Sequence, residues 1–561
     1  MARTVSIGSQ NFEDMRTGNY FMVDKTSFIR DWWNSGDQVT LLCRPRRFGK
    51  TLTLSMVECF LSTRFCRRGE ELFGGLDVWK DPCMRDLQGT IPVVSVSLAG
   101  CKGTTLDETL ALIRHELCAA VRAHDYLCAS SLVDKSDRVF LNRISDDMDM
   151  VEAKTCLRRL CRALYAHWGV RPVVLLDEYD TPMQEAWLHG WWEGMSDFIR
   201  GLLNPTFKTN PDLGRGLLTG ITRVASESIF SDLNNLSVVT VTTPAYQASL
   251  GFTRSEVEAA LKEFGMVEAV DDVERWYDGY CFGGVSGIYN PWSLTCFLAR
   301  RRIDLYWANS SSNALISSLV RRGDPQLKSD FELLLAGSSV VRRVDERVDF
   351  ERLRRSVGAV WSLLLASGYV RGDLSADFGM LSLSLTNAEV RECMDELVGK
   401  WFEDAASEYN EFCRALLAGD TGAMEDYLSA VCLACASSFD GGVVPSASSE
   451  PERFYHGLVL GLLVELRGRY AVESNRESGF GRYDVALVPV AGSGIENPIL
   501  IEFKVYNPRR GEATLDDTVA SALDQIERRR YADALVERGF APESIRCYGM
   551  GFRGKEVRVG S

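Results

Sequence analysis

The stretch QVTLLCRPRRFGKTLTLSMVECFL, residues 38–61, constrains the fold more than any other part of the chain. A short apolar run, a basic turn closing on Gly49, and apolar residues at helical spacing predict strand, loop and helix in that order. A loop of this kind lets successive backbone N–H groups surround phosphates, while a lysine reaches the β/γ oxygens and a Ser or Thr hydroxyl meets Mg²⁺. Gly49, Lys50 and Thr51 supply the end of the pattern G-x-x-x-x-G-K-[ST], but Arg44 stands where its first glycine belongs.

A second element completes the reading. VRPVVLLDEYDTP carries a β-branched run, Val173 to Leu176, ending on acids, as a buried parallel strand would. Asp177 fits a Mg²⁺-holding carboxylate and Glu178 an acid that activates water. Arg46 and Arg47, inside the loop, either contact phosphate or pair with acids such as Asp180. Arg223, after LLTGIT, is a candidate sensor of the γ-phosphate. A structural salt bridge is the alternative for each arginine. The plain alternative for the rest is that Asp177 and Glu178 cap a helix and Lys50 is a solvated lysine.

The chain of 561 residues predicts about three or four domains at roughly 150 residues each. Apolar residues at 46% and charged residues at 25% exclude a disordered or fibrous chain. Lys and Arg number 63 against 77 Asp and Glu, a net charge of −14 that argues against coating nucleic acid by bulk charge; any polyanion site must be local. MARTVSIGSQ lacks the blocks of a signal peptide and no apolar run approaches the roughly 20 residues of a membrane span, so the expectation is a cytosolic protein without membrane contact. The 16 cysteines are scattered, and Cys432 and Cys435 lack a second pair at zinc spacing; they read as reduced, mostly buried small hydrophobes.

Strands alternating with helical stretches predict an α/β domain over residues 1–250, with strands at 39–43, 173–176, in RGLLTGITRV and in SVVTVTT. Residues 251–302 read as a small lid subdomain, 303–437 as a mainly helical connector, and the Ser-, Gly- and Pro-rich 438–452 as a linker. Residues 453–561 read as a compact α/β unit: helix, two strands, helix and a final strand pair.

That last unit carries a second constellation. Asp484 ends GRYD, and Glu502 and Lys504 lie in ILIEFKV, where strand alternation turns both to one side and Phe503 to the core. Two acids and a lysine suit phosphodiester hydrolysis, because carboxylates hold Mg²⁺, the metal supplies hydroxide and the lysine orients water or stabilises charge. Gln525 and Tyr531 fall on a predicted helix beside Arg528, Arg529 and Arg530, a basic run able to follow a nucleic-acid backbone. Glu477 either adds a carboxylate or shapes a hairpin. The plain alternative is an E-x-K pair of exposed charges.

The chain resembles, over almost its full length, bacterial proteins that join an AAA-ATPase-like domain to a C-terminal nuclease domain of the PD-(D/E)XK superfamily. The resemblance rests on FMVDKTSFIRDW, RPRRFGKTLTLSM, LLDEYDTP, TGITRVASESIFSDLNNL, WYDGYCFGG, YNPWSL, FYHGLVLGLL, SNRESGFGRYDV and IEFK. It implies ATP and Mg²⁺ at Lys50, Thr51 and Asp177, with Glu178 the hydrolytic acid. It maps the nuclease Asp to Asp484 and the Glu-x-Lys to Glu502 and Lys504, with Mg²⁺ or Mn²⁺ as the metal. The superfamily often has a further acid on its first helix, where this chain offers Glu465. The implied fold is a P-loop α/β domain, a helical lid and connector, and a restriction-endonuclease-like α/β domain.

Three functional expectations follow. The first is an ATPase whose nucleotide controls a metal-dependent nuclease acting on DNA or RNA. The second is a nucleotide-dependent switch or scaffold whose nuclease-like domain binds nucleic acid or protein without cutting, because the superfamily includes members that have lost cleavage. A plain ATPase with a structural C-terminal domain stands third. AAA-like domains often assemble, so a homo-oligomer is compatible with each.

Overall fold

The computed structural model describes residues 2–224, 233–307, 325–335, 337–344, 357–374, 380–395, 406–435, 469–474, 484–490, 497–554 and 556–561, with shorter pieces between them. It divides into two compact units, Met1–Arg322 with Leu333–Met394, and Gly323–Glu332 with Asp395–Ser561.

The first unit is built on a parallel sheet of β1 (Val39–Cys43), β2 (Val93–Ser97), β3 (Val173–Asp177), β4 (Arg215–Gly220) and β5 (Leu236–Val239), in the order β2-β3-β4-β1-β5. Every residue of β1 and β3 is buried, because helices cover both faces of such a sheet. One face packs on α1 (Phe12–Thr17), α2 (Ser27–Asn34) and α3 (Lys50–Leu61) through Phe12, Phe28, Trp32, Val57 and Phe60, which meet Val93, Leu175, Leu217 and Val239. Two longer helices, α4 (Leu106–Arg122) and α5 (Met150–Trp168), lie between β2 and β3 in the chain. The chain order of strands reverses about β1, and such a switch point opens a crevice at the carboxyl ends of the strands. The expected strands match β1, β3, β4 and β5. The reading omits β2, whose VVSVS alternates too briefly to stand out.

Residues expected to form a lid carry a small antiparallel sheet, β6 (Phe252–Thr253), β8 (Val285–Tyr289) and β7 (Tyr280–Phe282), followed by α7 (Pro291–Arg300), which starts on an Asn290 cap. The described residues of 303–437 are mostly helical, among them Pro325–Leu335 and α8 (Val357–Ser367), but the stretch also holds β9 (Val340–Arg343), β10 (Val370–Leu374) and β11 (Met380–Leu385), paired antiparallel in the order β9-β11-β10. The alternation in MLSLSL has the period of a strand, and helical spacing elsewhere in the stretch obscured it. The linker reading at 438–452 lies outside the described residues.

The second unit holds a mixed sheet of β12 (Tyr470–Ser474), β13 (Val485–Pro489), β14 (Ile499–Val505), β15 (Arg546–Arg553) and β16 (Glu556–Gly560), in chain order across the sheet, with β14 and β15 parallel and the other pairs antiparallel. Helices α9 (Ala406–Ala418) and α10 (Thr421–Cys435), read above as connector, pack on one face through Phe412, Leu416, Met424 and Leu428, opposite Phe503, Tyr548, Met550 and Phe552. The other face receives α11 (Leu515–Arg528), whose start is set by a reciprocal cap between Thr514 and Asp517.

Candidate active sites

The phosphate-loop residues turn out of β1 toward the switch point. Gly49 takes φ 80° at the start of α3, and Arg47 is also left-handed at φ 66°. Arg44, at the position of the missing glycine, points inward and is fully buried. Its guanidinium donates to the carbonyls of Cys43 (3.0 Å), Thr240 (2.6 Å) and Ala245 (3.2 Å) and stacks over Phe282 at 4.6 Å. A side chain thus ties the loop to the segment after β5, which a glycine could not do.

Lys50 is buried, and its Nζ folds back on the loop carbonyls of Arg44 and Pro45, both at 3.1 Å. Thr51 Oγ1 donates to Asp177 Oδ2 at 2.7 Å, and Thr219 Oγ1, on β4, donates to Asp177 Oδ1 at 2.5 Å. Burial pushes the Asp177 carboxyl above the usual range, offset in part by those two hydroxyls. A carboxyl short of counter-charge beside a hydroxyl fits a hard divalent cation, which Thr51 and Asp177 would hold. Glu178 follows in a left-handed conformation, φ 49°, that costs a non-glycine residue on the order of 1 kcal/mol or more and keeps its side chain in the cavity.

Lys50, Thr51, Asp177, Glu178, Arg46, Arg47 and Gly49 line one cavity of about 450 Å³. Arg46 Nη2 donates to Gln184 Oε1 at 3.1 Å, and Gln184 Nε2 donates to Asp180 Oδ2 at 3.2 Å, so Arg46 meets Asp180 only through an amide. Arg47 lies over Trp292 of α7, 4.3 Å from the ring centre. Trp307 Nε1 donates to the Arg46 carbonyl at 3.2 Å, so two tryptophans beyond β5 grip the loop. Arg223 does not line this cavity; it lies at a smaller one with Cys43 and Thr240. The reading missed Thr219 and Gln184, although a hydroxyl at a strand end and a glutamine one turn past Asp180 are the available signals. It also assigned no role to Phe21, Met22 and Val23, which form an apolar wall of the cavity.

In the second unit, β13 and β14 pair with Val485 opposite Ile501, so Asp484, one step further, stands beside Glu502. Asp484 Oδ2 accepts the Phe503 N–H at 2.8 Å, and burial raises its carboxyl above the ordinary range. Glu502 and Lys504 are both buried, facing α11, while Phe503 faces the core as expected. Gln525 joins them: its Oε1 accepts Lys504 Nζ at 2.6 Å, and its Nε2 donates to Glu502 Oε1 and to Tyr531 Oη, the latter at 3.2 Å. Asp484, Glu502, Lys504, Gln525 and Tyr531 therefore form one polar patch.

The close approach of α11 depends on Gly549 and Gly551 of β15, paired with Glu502 and Lys504. A Cβ on Gly549 would lie 2.8 Å from the Val519 carbonyl, and one on Gly551 would lie 3.2 Å from the Val519 side chain. The G-M-G of CYGMGF was the available signal, since glycine within a strand marks a close neighbour. A buried and a half-buried carboxylate side by side fit a hard cation completed by water. Among the described residues no third acid or other ligand joins them; Glu465 and the side chain of Glu477 lie outside those residues. Of the basic run, Arg528 pairs with Asp524 at 2.6 Å and Arg530 with Asp533 at 2.9 Å. Among the described residues no helix is long and apolar enough to cross a membrane.

Comparison with known proteins agrees with this division. Residues 6–230 match a family model described as a predicted AAA-ATPase, and residues 450–561 match that of the PD-(D/E)XK nuclease superfamily. A protein of Azotobacter chroococcum mcd 1, named as an uncharacterized protein in the vnfD 5' region, is 25% identical over 568 residues, covering 98% of this chain and 96% of the relative. With a parallel sheet carrying the phosphate loop and a mixed sheet carrying the Glu-x-Lys, the chain joins an AAA-ATPase-like domain to a C-terminal domain of the PD-(D/E)XK nuclease superfamily.

Proposed function

We propose that the N-terminal domain binds and hydrolyses ATP and that its nucleotide state governs metal-dependent phosphodiester cleavage of nucleic acid by the C-terminal domain. The observation that carries this reading is that two compact units of one chain each hold a largely buried acid group with its lysine: Asp177 beside Thr51 with Lys50 at the loop, and the half-buried Asp484 and buried Glu502 with Lys504. In the first site Lys50 releases the loop carbonyls to reach phosphate, and Glu178 takes the proton of the attacking water. In the second, Lys504 steadies charge at the scissile phosphate while Gln525 holds it in line with Glu502. Asp484 and Glu502 would hold Mg²⁺ or Mn²⁺, which would lower the pKa of a water and stabilise charge on the phosphate as a Lewis acid. Homo-oligomerisation and action in the cytoplasm accord with this reading.

The test is cleavage of a mixed DNA and RNA panel with Mg²⁺ or Mn²⁺, with and without ATP, by the wild-type chain and by Glu502→Ala and Lys50→Ala. Cutting lost in Glu502→Ala and insensitive to ATP in Lys50→Ala is the expected result. Cutting retained in Glu502→Ala sinks the nuclease assignment. Two observations favour the scaffold reading: Gln525 already takes one oxygen of the Glu502 carboxylate, and Arg528 and Arg530 are paired with neighbouring acids. Metal-independent binding of nucleic acid or protein without product decides for it.

A further inference from the structure

Asp180 is a buried titratable group, beside the phosphate-loop cavity, that the reactions above leave unused. It stands at the start of α6 (Thr181–His189), where an Asp would normally cap its own helix, yet its side chain makes no cap there. Its carboxylate instead reaches across to the turn after β4, where Oδ2 accepts the backbone N–H groups of Ile221 and Thr222 and the Thr222 hydroxyl, each at 3.0 Å. The same oxygen accepts Gln184 Nε2, and Gln184 presents its other end to Arg46. The residue is 1% exposed, and no described residue hydrogen-bonds to Oδ1. A carboxylate so deeply placed costs free energy, and its one bonded oxygen ties the turn after β4 to α6, from which Gln184 reaches the phosphate loop at Arg46.

The relay has a direction. Gln184 lies one turn beyond Asp180 on the helix that Glu178 precedes, and the Thr181 hydroxyl donates to Glu178 Oε2 at 3.1 Å. The relay therefore ends in the same cavity that Glu178 lines, where the ATP reading would set the last phosphate beside that acid. Because Gln184 is neutral, its bond orients the guanidinium without cancelling its charge. Arg223, the other candidate for that phosphate, opens on a different cavity.

We propose that Arg46 is the residue that reads the terminal phosphate, and that Gln184 and Asp180 are positioning residues that hold its guanidinium there. This rests on the ATP reading of the same cavity. A contact confined to the third phosphate separates triphosphate from diphosphate, whereas a residue that merely supports the fold alters both alike.

The test is the affinity of the full-length protein for a non-hydrolysable ATP analogue and for ADP, measured with Mg²⁺ for wild type, Arg46→Ala, Arg46→Lys, Gln184→Leu, Asp180→Ala and Lys50→Ala. Loss of one charge-assisted bond predicts that Arg46→Ala and Gln184→Leu weaken the analogue by about tenfold to a hundredfold and shift ADP by less than about twofold. Arg46→Lys should recover part of the loss. Asp180→Ala should behave as Gln184→Leu; if it fails to fold, Gln184→Leu alone decides. Lys50→Ala should weaken both nucleotides. If Lys50→Ala binds both like wild type, the nucleotide reading of the cavity fails. If Lys50→Ala weakens both while Arg46→Ala and Gln184→Leu keep the wild-type ratio, this proposal alone is overturned. Loss in Arg46→Ala with none in Gln184→Leu overturns the relay.

Discussion

Restoring the consensus glycine at position 44 should weaken this protein. Arg44→Gly removes a fully buried guanidinium that donates to the Thr240 carbonyl at 2.6 Å and the Ala245 carbonyl at 3.2 Å, both in the segment after β5. Hydrogen bonds from a charged donor are worth about 1.5–3 kcal/mol each, so the two together contribute about 3–6 kcal/mol. Relief of the buried charge offsets part of this, by about 1–2 kcal/mol. Glycine at a loop position adds chain entropy in the unfolded state that works the other way, about 0.5–1 kcal/mol. A net loss of about 2.5–5 kcal/mol remains, which lowers the first unfolding transition by roughly 3–6 °C in a unit of about 380 residues. Thermal circular dichroism of the full chain measures it, with the first transition taken alone because a two-unit chain does not unfold in one step. Arg44→Met, which keeps volume without donors, should fall between the two. A first transition within about 1 °C of wild type for Arg44→Gly would refute the role given to this side chain.

Three other outcomes follow from particular contacts. Asp484 has a raised carboxyl, so without metal the native state holds its proton longer than the unfolded chain; its contribution to stability therefore falls as pH rises from about 4 toward neutrality. Asp484→Asn should flatten that slope in thermal melts and abolish the stabilisation by Mn²⁺, and an unchanged slope with the metal shift intact contradicts the site. Gly549→Ala sets a Cβ 2.8 Å from the Val519 carbonyl and should cost about 1–3 kcal/mol while drawing Gln525 away from Glu502, seen as a lower melting temperature with lost cleavage. Trp292→Leu removes the ring beneath Arg47 and should cost under about 1 kcal/mol in stability but weaken nucleotide binding several-fold by fluorescence titration; unchanged binding argues that the tryptophan only packs.

The order strand, loop, helix around Gly49, the acids closing β3, and the common face of Glu502 and Lys504 all follow from short-range rules: side-chain period, turn chemistry and caps act within a few residues and leave their mark in the chain itself. For that reason four of the five parallel strands, both lysines and all four principal acids were legible without coordinates. The misses have a different character. That β4 lies between β1 and β3, and so brings Thr219 onto Asp177, is a matter of strand order, which periodicity does not carry. The antiparallel sheet β9-β11-β10 lay within a stretch whose helical spacing dominated.

Arg44 shows the limit most clearly. Beside the pattern it is a missing glycine, yet its meaning depends on which carbonyls lie within reach of a guanidinium, and those belong to residues almost two hundred positions away. Arg46 and Gln184, Gly549 and Val519 are of the same kind. The amino-acid sequence by itself determined which chemical groups stand at each strand end. The tertiary structure decided which of those groups meet, because hydrogen bonds and close packing act over a few ångströms of space while their partners are drawn from anywhere along the chain.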